Sequence, residues 1–179
     1  MKPFERIASE TIFGTSWMKL VKHRVADRAG TPSDREVLTL DLAGWVNVVA
    51  RTVDGGWVFV RQHRFGIDAD SLEIPGGIVD PGESPHDAAI RELREETGYE
   101  AKSWRDGGWC FANPAIQANR VHTFVAEGCA LAGDQQLDAM EDCRVEILSD
   151  AELLASIARR EIAHALVLVA IYQELLRKR

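Results

Sequence analysis

Glu92, Glu95 and Glu96 stand at i, i+3 and i+4 in the run Arg91-Glu92-Leu93-Arg94-Glu95-Glu96-Thr97. On a helix that spacing brings three carboxylates to one face. Like charges so placed repel by roughly 0.2–0.5 kcal/mol per pair, so the arrangement favours a cation held among them. Oxygen-only donors suit a hard divalent ion, Mg²⁺ or Mn²⁺, and Mg²⁺ commonly keeps waters and binds substrate phosphates as well. Arg91, four residues before Glu95, is placed to hold a carboxylate in position. The chemistry implied is metal-assisted work on phosphate. A solvated charged face is the alternative for such a run taken by itself.

The element that must carry these groups is a helix. It follows a Gly76-Gly77 turn and a Pro81-Gly82 turn with Glu83 beside it, contains Ala88, Ala89, Ile90 and Leu93, and stops at Gly98. Ile90, Leu93 and Thr97 are expected to point away from the glutamates, toward a core.

From Gly77 the order is a glycine, five residues, Glu83, seven residues, then Arg91-Glu92-Leu93-Arg94-Glu95-Glu96-Thr97-Gly98-Tyr99. This stretch resembles the signature box of the Nudix hydrolases, with every fixed position filled. The resemblance implies hydrolysis of a nucleoside diphosphate linked to some other group. It implies Glu92, Glu95 and Glu96 as metal ligands, Glu95 also as a catalytic carboxylate, and Arg91 and Glu83 as supports that orient them. By the same analogy the Gly76 carbonyl is a further metal ligand. The fold implied is an α/β/α sandwich around a mixed sheet.

Length and charge narrow the rest. A chain of 179 residues, 46% hydrophobic and 27% charged, suits one substantial core with a small appendage. A net charge of −7 argues against nonspecific nucleic-acid binding, which wants a basic face. Cys110, Cys129 and Cys143 have no CxxC spacing and are odd in number, so free thiols are expected rather than disulfides or a zinc site. The start of the chain lacks the apolar run of a signal peptide, and Ala165 to Ile171 is too short to span a membrane. A cytoplasmic protein is expected.

Residues 6–40 alternate polar and apolar and are broken at Gly14 and at Gly30-Thr31-Pro32-Ser33, giving about three short antiparallel strands. The expected division is a small strand domain over 1–40 and a catalytic domain over 41–179. In the resemblance the first block is similar to the N-terminal domain of ADP-ribose pyrophosphatases, which implies a homodimer. Trp17 is then a candidate to stack on an adenine, with a place in the core or the dimer interface as the alternative.

Residues 45–64 read as a hairpin turning at Asp54-Gly55-Gly56. Gln62-His63-Arg64 and Leu72-Glu73-Ile74-Pro75-Gly76 resemble segments that precede the box in ADP-ribose and nucleotide-sugar pyrophosphatases. Arg51 and Arg64 are phosphate-contact candidates against surface salt bridges, and Glu73 is a further candidate. Pro114, beyond the box, resembles a feature of the same subgroup. The acidic loop 131–142 is expected, by the resemblance, to supply a general base. Glu141 matches best, with Asp138 and Asp142 as rivals and solubility as the alternative role.

A strand over 144–148, a short helix capped by Ser149 with Glu152, and a last helix over about 160–176 complete the pattern. The reading is Mg²⁺-dependent cleavage of ADP-ribose or a related nucleoside diphosphate sugar. The alternatives are another Nudix substrate (GDP-mannose, a dinucleoside polyphosphate or an oxidised nucleotide) and a nucleotide-sugar-binding domain that does not cleave.

Overall fold

The computed structural model describes residues 4–27, 29–138 and 142–177. Two compact units result, residues 1–43 with 111–120, and residues 44–110 with 121–179. In the first, β1 (Phe4–Gly14), β2 (Met18–Asp27) and β3 (Pro32–Leu42) form an antiparallel sheet in sequence order. These strands are longer than the alternation alone suggested. The Asp27 carboxylate accepts from the Ala29 and Thr31 amides at the β2–β3 turn, each at 2.9 Å. Buried His23 links the three strands, its Nδ1 2.8 Å from Ser9 Oγ and its Nε2 2.7 Å from Thr39 Oγ1. Segment 111–120 joins this unit through Leu40 N–H donating to Ile116 O at 2.7 Å.

The second unit contains β4 (Trp45–Thr52), β5 (Trp57–Arg64), β6 (Ala69–Glu73), α1 (Pro85–Thr97), β7 (Tyr99–Glu100), β8 (Ser103–Phe111), β9 (Arg120–Leu131), β10 (Arg144–Leu148), α2 (Asp150–Ala158) and α3 (Ala165–Arg177). Its mixed sheet runs β10-β5-β4-β9-β7, with β6 on β5 and β8 on β9. β9 lies parallel to β4, Trp45 opposite Val121, and the other pairs with assigned register are antiparallel.

Alternation sorts the side chains to two faces. Val46, Val48, Ala50 and Val58 pack on Ala88, Ala89 and Leu93 of α1. Val49, Trp57, Phe59, Leu72 and Ile74 pack on Leu153, Val167 and Ile171 from the α2–α3 side. The expected three-layer arrangement is therefore present.

One departure from regular pairing builds the site. The β4–β5 hairpin pairs only at Ala50 with Val58 and Arg51 with Trp57. Beyond that the strands part, and the chain after β5 enters the gap. β6 pairs with β5, while Val48 N–H donates to Pro75 O and Val46 N–H to Gly77 O. Position 76 has no room for a side chain, because a Cβ there would fall 2.2 Å from Val46 O.

Two expectations need correction. Ile90 does not face the core: it is 39% exposed, and Ala88 and Ala89 fill that role. The buried stripe of the helix runs through 88, 89, 92, 93, 96 and 97, and Ile90 falls outside it. The last helix does not begin near Arg160, because α2 ends at Ala158 and Arg160 takes a left-handed φ of 60°. The chain reverses there, with Glu161 N–H bonded to Ser156 O, and α3 starts at Ala165.

Candidate active site

α1 is fixed at both ends by its own residues. Ser84 caps the first turn by accepting from Asp87 N–H, Pro85 supplies a helix-ready φ, and Gly98 closes the last turn at φ 73° with its N–H on Arg94 O. So anchored, the helix presents Glu92 and Glu96, both buried, and Glu95, partly open.

Arg91 is the hub. Its Nε and Nη2 reach the two oxygens of Glu83, both at 3.0 Å. Nη2 also donates to Ile78 O at 3.0 Å, and Nη1 reaches Glu92 at 2.8 Å and Glu95 at 3.1 Å. Hydrogen bonding to Glu83 outweighs the burial of Arg91 and raises its pKa, while the guanidinium holds Glu83 below the usual carboxylate range.

The other two anchors are backbone. Glu96 Oε2 accepts from Gly76 N–H at 2.9 Å. Glu92 lies against Gly77 so closely that a Cβ there would meet its Oε1 at 2.1 Å. The di-glycine turn is thus a cradle for two carboxylates.

Across residues 43–166 the chain matches the model of the NUDIX domain. The chain belongs to the Nudix family. It is 33% identical over 174 residues, 96% of this chain and 93% of the other, to the ADP-ribose pyrophosphatase of Bacillus subtilis. To the ADP-ribose pyrophosphatase of Mycobacterium tuberculosis it is 29% identical over 94% of this chain and 81% of the other. Its fold matches a solved structure described as an ADP compounds hydrolase, with a TM-score of 0.84 over 99% of this chain and 96% of that one, at 19% identity.

Nudix ADP-ribose pyrophosphatases work with a divalent metal. Among the described residues no three His, Cys, Asp or Glu side chains are arranged to hold an ion, because Glu92 and Glu95 reach Arg91 while Glu96 reaches Gly76. The donor chemistry nevertheless fits. Two of the three carboxylates border one glycine turn and the third, Glu95, shares Arg91 with Glu92, all donors are oxygen, and the cradle at Gly77 leaves no room for a side chain beside Glu92.

The Nudix unit brings some further candidates together and leaves others apart. Arg64 and Glu73 meet each other, Nε to Oε1 at 3.0 Å and Nη2 to Oε2 at 2.8 Å. Burial pushes the Glu73 carboxyl up, but the Arg64 hydrogen bonds more than offset it and its pKa is lowered. The pair lies on the α1 side, and hydrogen bonding to Glu73 outweighs burial to raise the Arg64 pKa, with Glu96 and Cys143 adding to it.

Arg51 is a correction. Alternation from Val49 places it on the α2–α3 face, at the far end of β4 from the Gly77 contact. There it stacks 4.2 Å over Trp57 and bonds Asp150 at 2.8 Å. It is not brought to the glutamates. Trp17 and Pro114 belong to the first unit and are exposed. Glu141 lies outside the described residues, while Asp138 and Asp142 are described and exposed.

Two contacts to Glu96 have no marker in the sequence. Cys143 Sγ lies 3.9 Å from Glu96 Oε1, and the Gln135 side chain donates to Glu96 O. Both depend on where a loop returns to the helix, which no local spacing reports.

Proposed function

We propose that this Nudix protein hydrolyses the pyrophosphate bond of ADP-ribose or a related nucleoside diphosphate sugar, giving a nucleoside monophosphate and a sugar phosphate. The observation that carries this reading is the complete box folded as one unit, Arg91 joining Glu83, Glu92 and Glu95, in a chain that aligns over nearly its whole length with an ADP-ribose pyrophosphatase.

Glu92, Glu95, Glu96 and the Gly76 carbonyl would hold Mg²⁺, with Mn²⁺ as a substitute. Pro75 O and Gly77 O are taken by β4, and among the described residues no hydrogen bond is directed at Gly76 O, which supports its place in this set. The ion supplies a Lewis acid that neutralises phosphate charge and acidifies the attacking water. Arg91 and Glu83 keep the carboxylates in register. Glu141 takes the proton from water, and Arg64 with Glu73 lies on the substrate side of the sheet. Trp17 and Pro114 are assigned to substrate recognition.

The first unit, over about residues 1–40, is assigned to dimerisation. Phe4, Ile7, Ile12 and Phe13 on β1 are all about half exposed, a supply of apolar surface that supports a homodimer. A monomer by light scattering at micromolar concentration, with full activity after removal of residues 1–40, contradicts that assignment.

The deciding experiment is a hydrolysis panel of ADP-ribose, UDP-glucose, GDP-mannose and free nucleotides with Mg²⁺, run beside Glu96→Gln. ADP-ribose or another nucleoside diphosphate sugar should be preferred. Folded Glu96→Gln should lose at least about two orders of magnitude in turnover, roughly 3 kcal/mol of transition-state stabilisation. Undiminished turnover in EDTA, or by Glu96→Gln, ends the metal-hydrolase reading.

A further inference from the structure

The last carbonyls of a helix have no partner within it. In α1 those of Arg94, Glu95 and Glu96 are nevertheless taken. Leu93 O accepts from Thr97 Oγ1, and Arg94 O from Gly98 N–H at 2.9 Å. Glu95 O accepts from Gln136 N–H at 2.8 Å, and Glu96 O from the side-chain amide of Gln135. The same Gln135 nitrogen donates to Cys143 O at 2.8 Å. Cys143 in turn lays its thiol 3.9 Å from the Glu96 carboxylate. Gln135, Glu96 and Cys143 therefore form a closed circuit in which one amide group ties the last turn of α1 to the residue entering β10.

We infer that Gln135 is a positioning residue for the Glu96 carboxylate: by bridging Glu96 O and Cys143 O it holds that carboxylate at the Gly76 turn in the orientation that binds the divalent ion. The inference rests on the reading of Glu96 as a metal ligand. An amide NH₂ carries two hydrogens and can satisfy two carbonyls at once. A carboxylate of the same size cannot donate, and would be repelled by both carbonyls and by Glu96. A separate side-chain tie between this loop and α1 is Arg94 Nη1 to Asp134 O at 3.0 Å, which touches neither Glu96 nor Cys143.

The test is Mn²⁺ binding by calorimetry to the full chain without substrate, with thermal melting in parallel. Gln135→Glu and Gln135→Ala should raise the Mn²⁺ Kd about tenfold, and Arg94→Ala should change it less than about twofold while still lowering Tm. Gln135→Asn, one methylene shorter, reaches only one carbonyl and should fall between. It keeps the question answerable if the other two variants do not fold. Wild-type affinity in the Gln135 variants, or equal weakening by Arg94→Ala, overturns the inference. Failure of the wild-type protein to bind Mn²⁺ instead overturns the metal reading beneath it.

Discussion

Arg91 grips Glu83 along one edge of its guanidinium, Nε to Oε1 and Nη2 to Oε2, each at 3.0 Å, and turns the remaining nitrogen to Glu92 and Glu95. A planar fork can do this and an ammonium cannot. Arg91→Lys should therefore lower kcat at least about tenfold and stability by about 1–2 kcal/mol, with Arg91→Ala worse on both counts. Melting curves and turnover against Mg²⁺ concentration separate the two effects. Wild-type kinetics in Arg91→Lys would show that a point charge suffices.

Gly77→Ala puts a methyl group where the Glu92 carboxylate now lies. The expected result is a loss of stability of about 1–3 kcal/mol and a marked rise in the Mg²⁺ concentration needed for activity. Gly66→Ala is the control, since nothing lies within 4 Å of its Cβ position. Equal behaviour of the two variants would dissociate the cradle from metal use.

The Arg64–Glu73 pair predicts a pH signature. Glu73 has a folded pKa below its ordinary 4.5, so it contributes stability that is present above that pH and lost as pH falls through the folded value. Arg64→Ala strips a nearly enclosed carboxylate of its partner and should cost about 3 kcal/mol at pH 7. Burial then dominates and raises the Glu73 pKa, so in the variant stability falls as pH rises through that value. The Tm gap between wild type and Arg64→Ala should shrink from pH 7 to pH 4. Glu73→Gln, which leaves a partly open guanidinium, should cost only about 1 kcal/mol. A gap independent of pH would refute the assignment.

Glu141→Gln should lower kcat by about 10²–10⁴ with little change in KM, because a general base acts mainly in the transition state. Asp138→Asn should be mild. Loss of kcat in Asp138→Asn or Asp142→Asn but not Glu141→Gln moves the base within the loop, and activity in all three moves it out, with Glu95 next.

Legibility followed the range of the interactions. The middle and the C-terminal end of α1 are readable, since the glutamate spacing and Gly98 act within a few residues, whereas its start at the Ser84 cap and Pro85 is not named by that pattern. The capping box at Ser149 and Glu152 was readable for the same reason. The strand expected over 144–148 is β10, Arg144–Leu148. Arg51 is open in the sequence between a phosphate contact and a salt bridge, and its bond to Asp150, 99 residues on, is a long-range pairing that no local pattern reports. The clasp on α1 was invisible, being made by backbone carbonyls that look alike in every residue and by one glutamine with no periodic partner.

The parallel pairing of β4 with β9 has a consequence for synthesis. Val46 finds His122 only after the whole box and the strands behind it have been made, and at about 5–20 residues per second that is a wait of several seconds. In the interval β4 can hold β5 by their turn and receive α1 on its even-numbered face. The partner strand β9 arrives only after that delay, with β10 later still, and an apolar β4 edge left unpaired meanwhile is where a ribosome-bound chain of this protein is most open to mispairing.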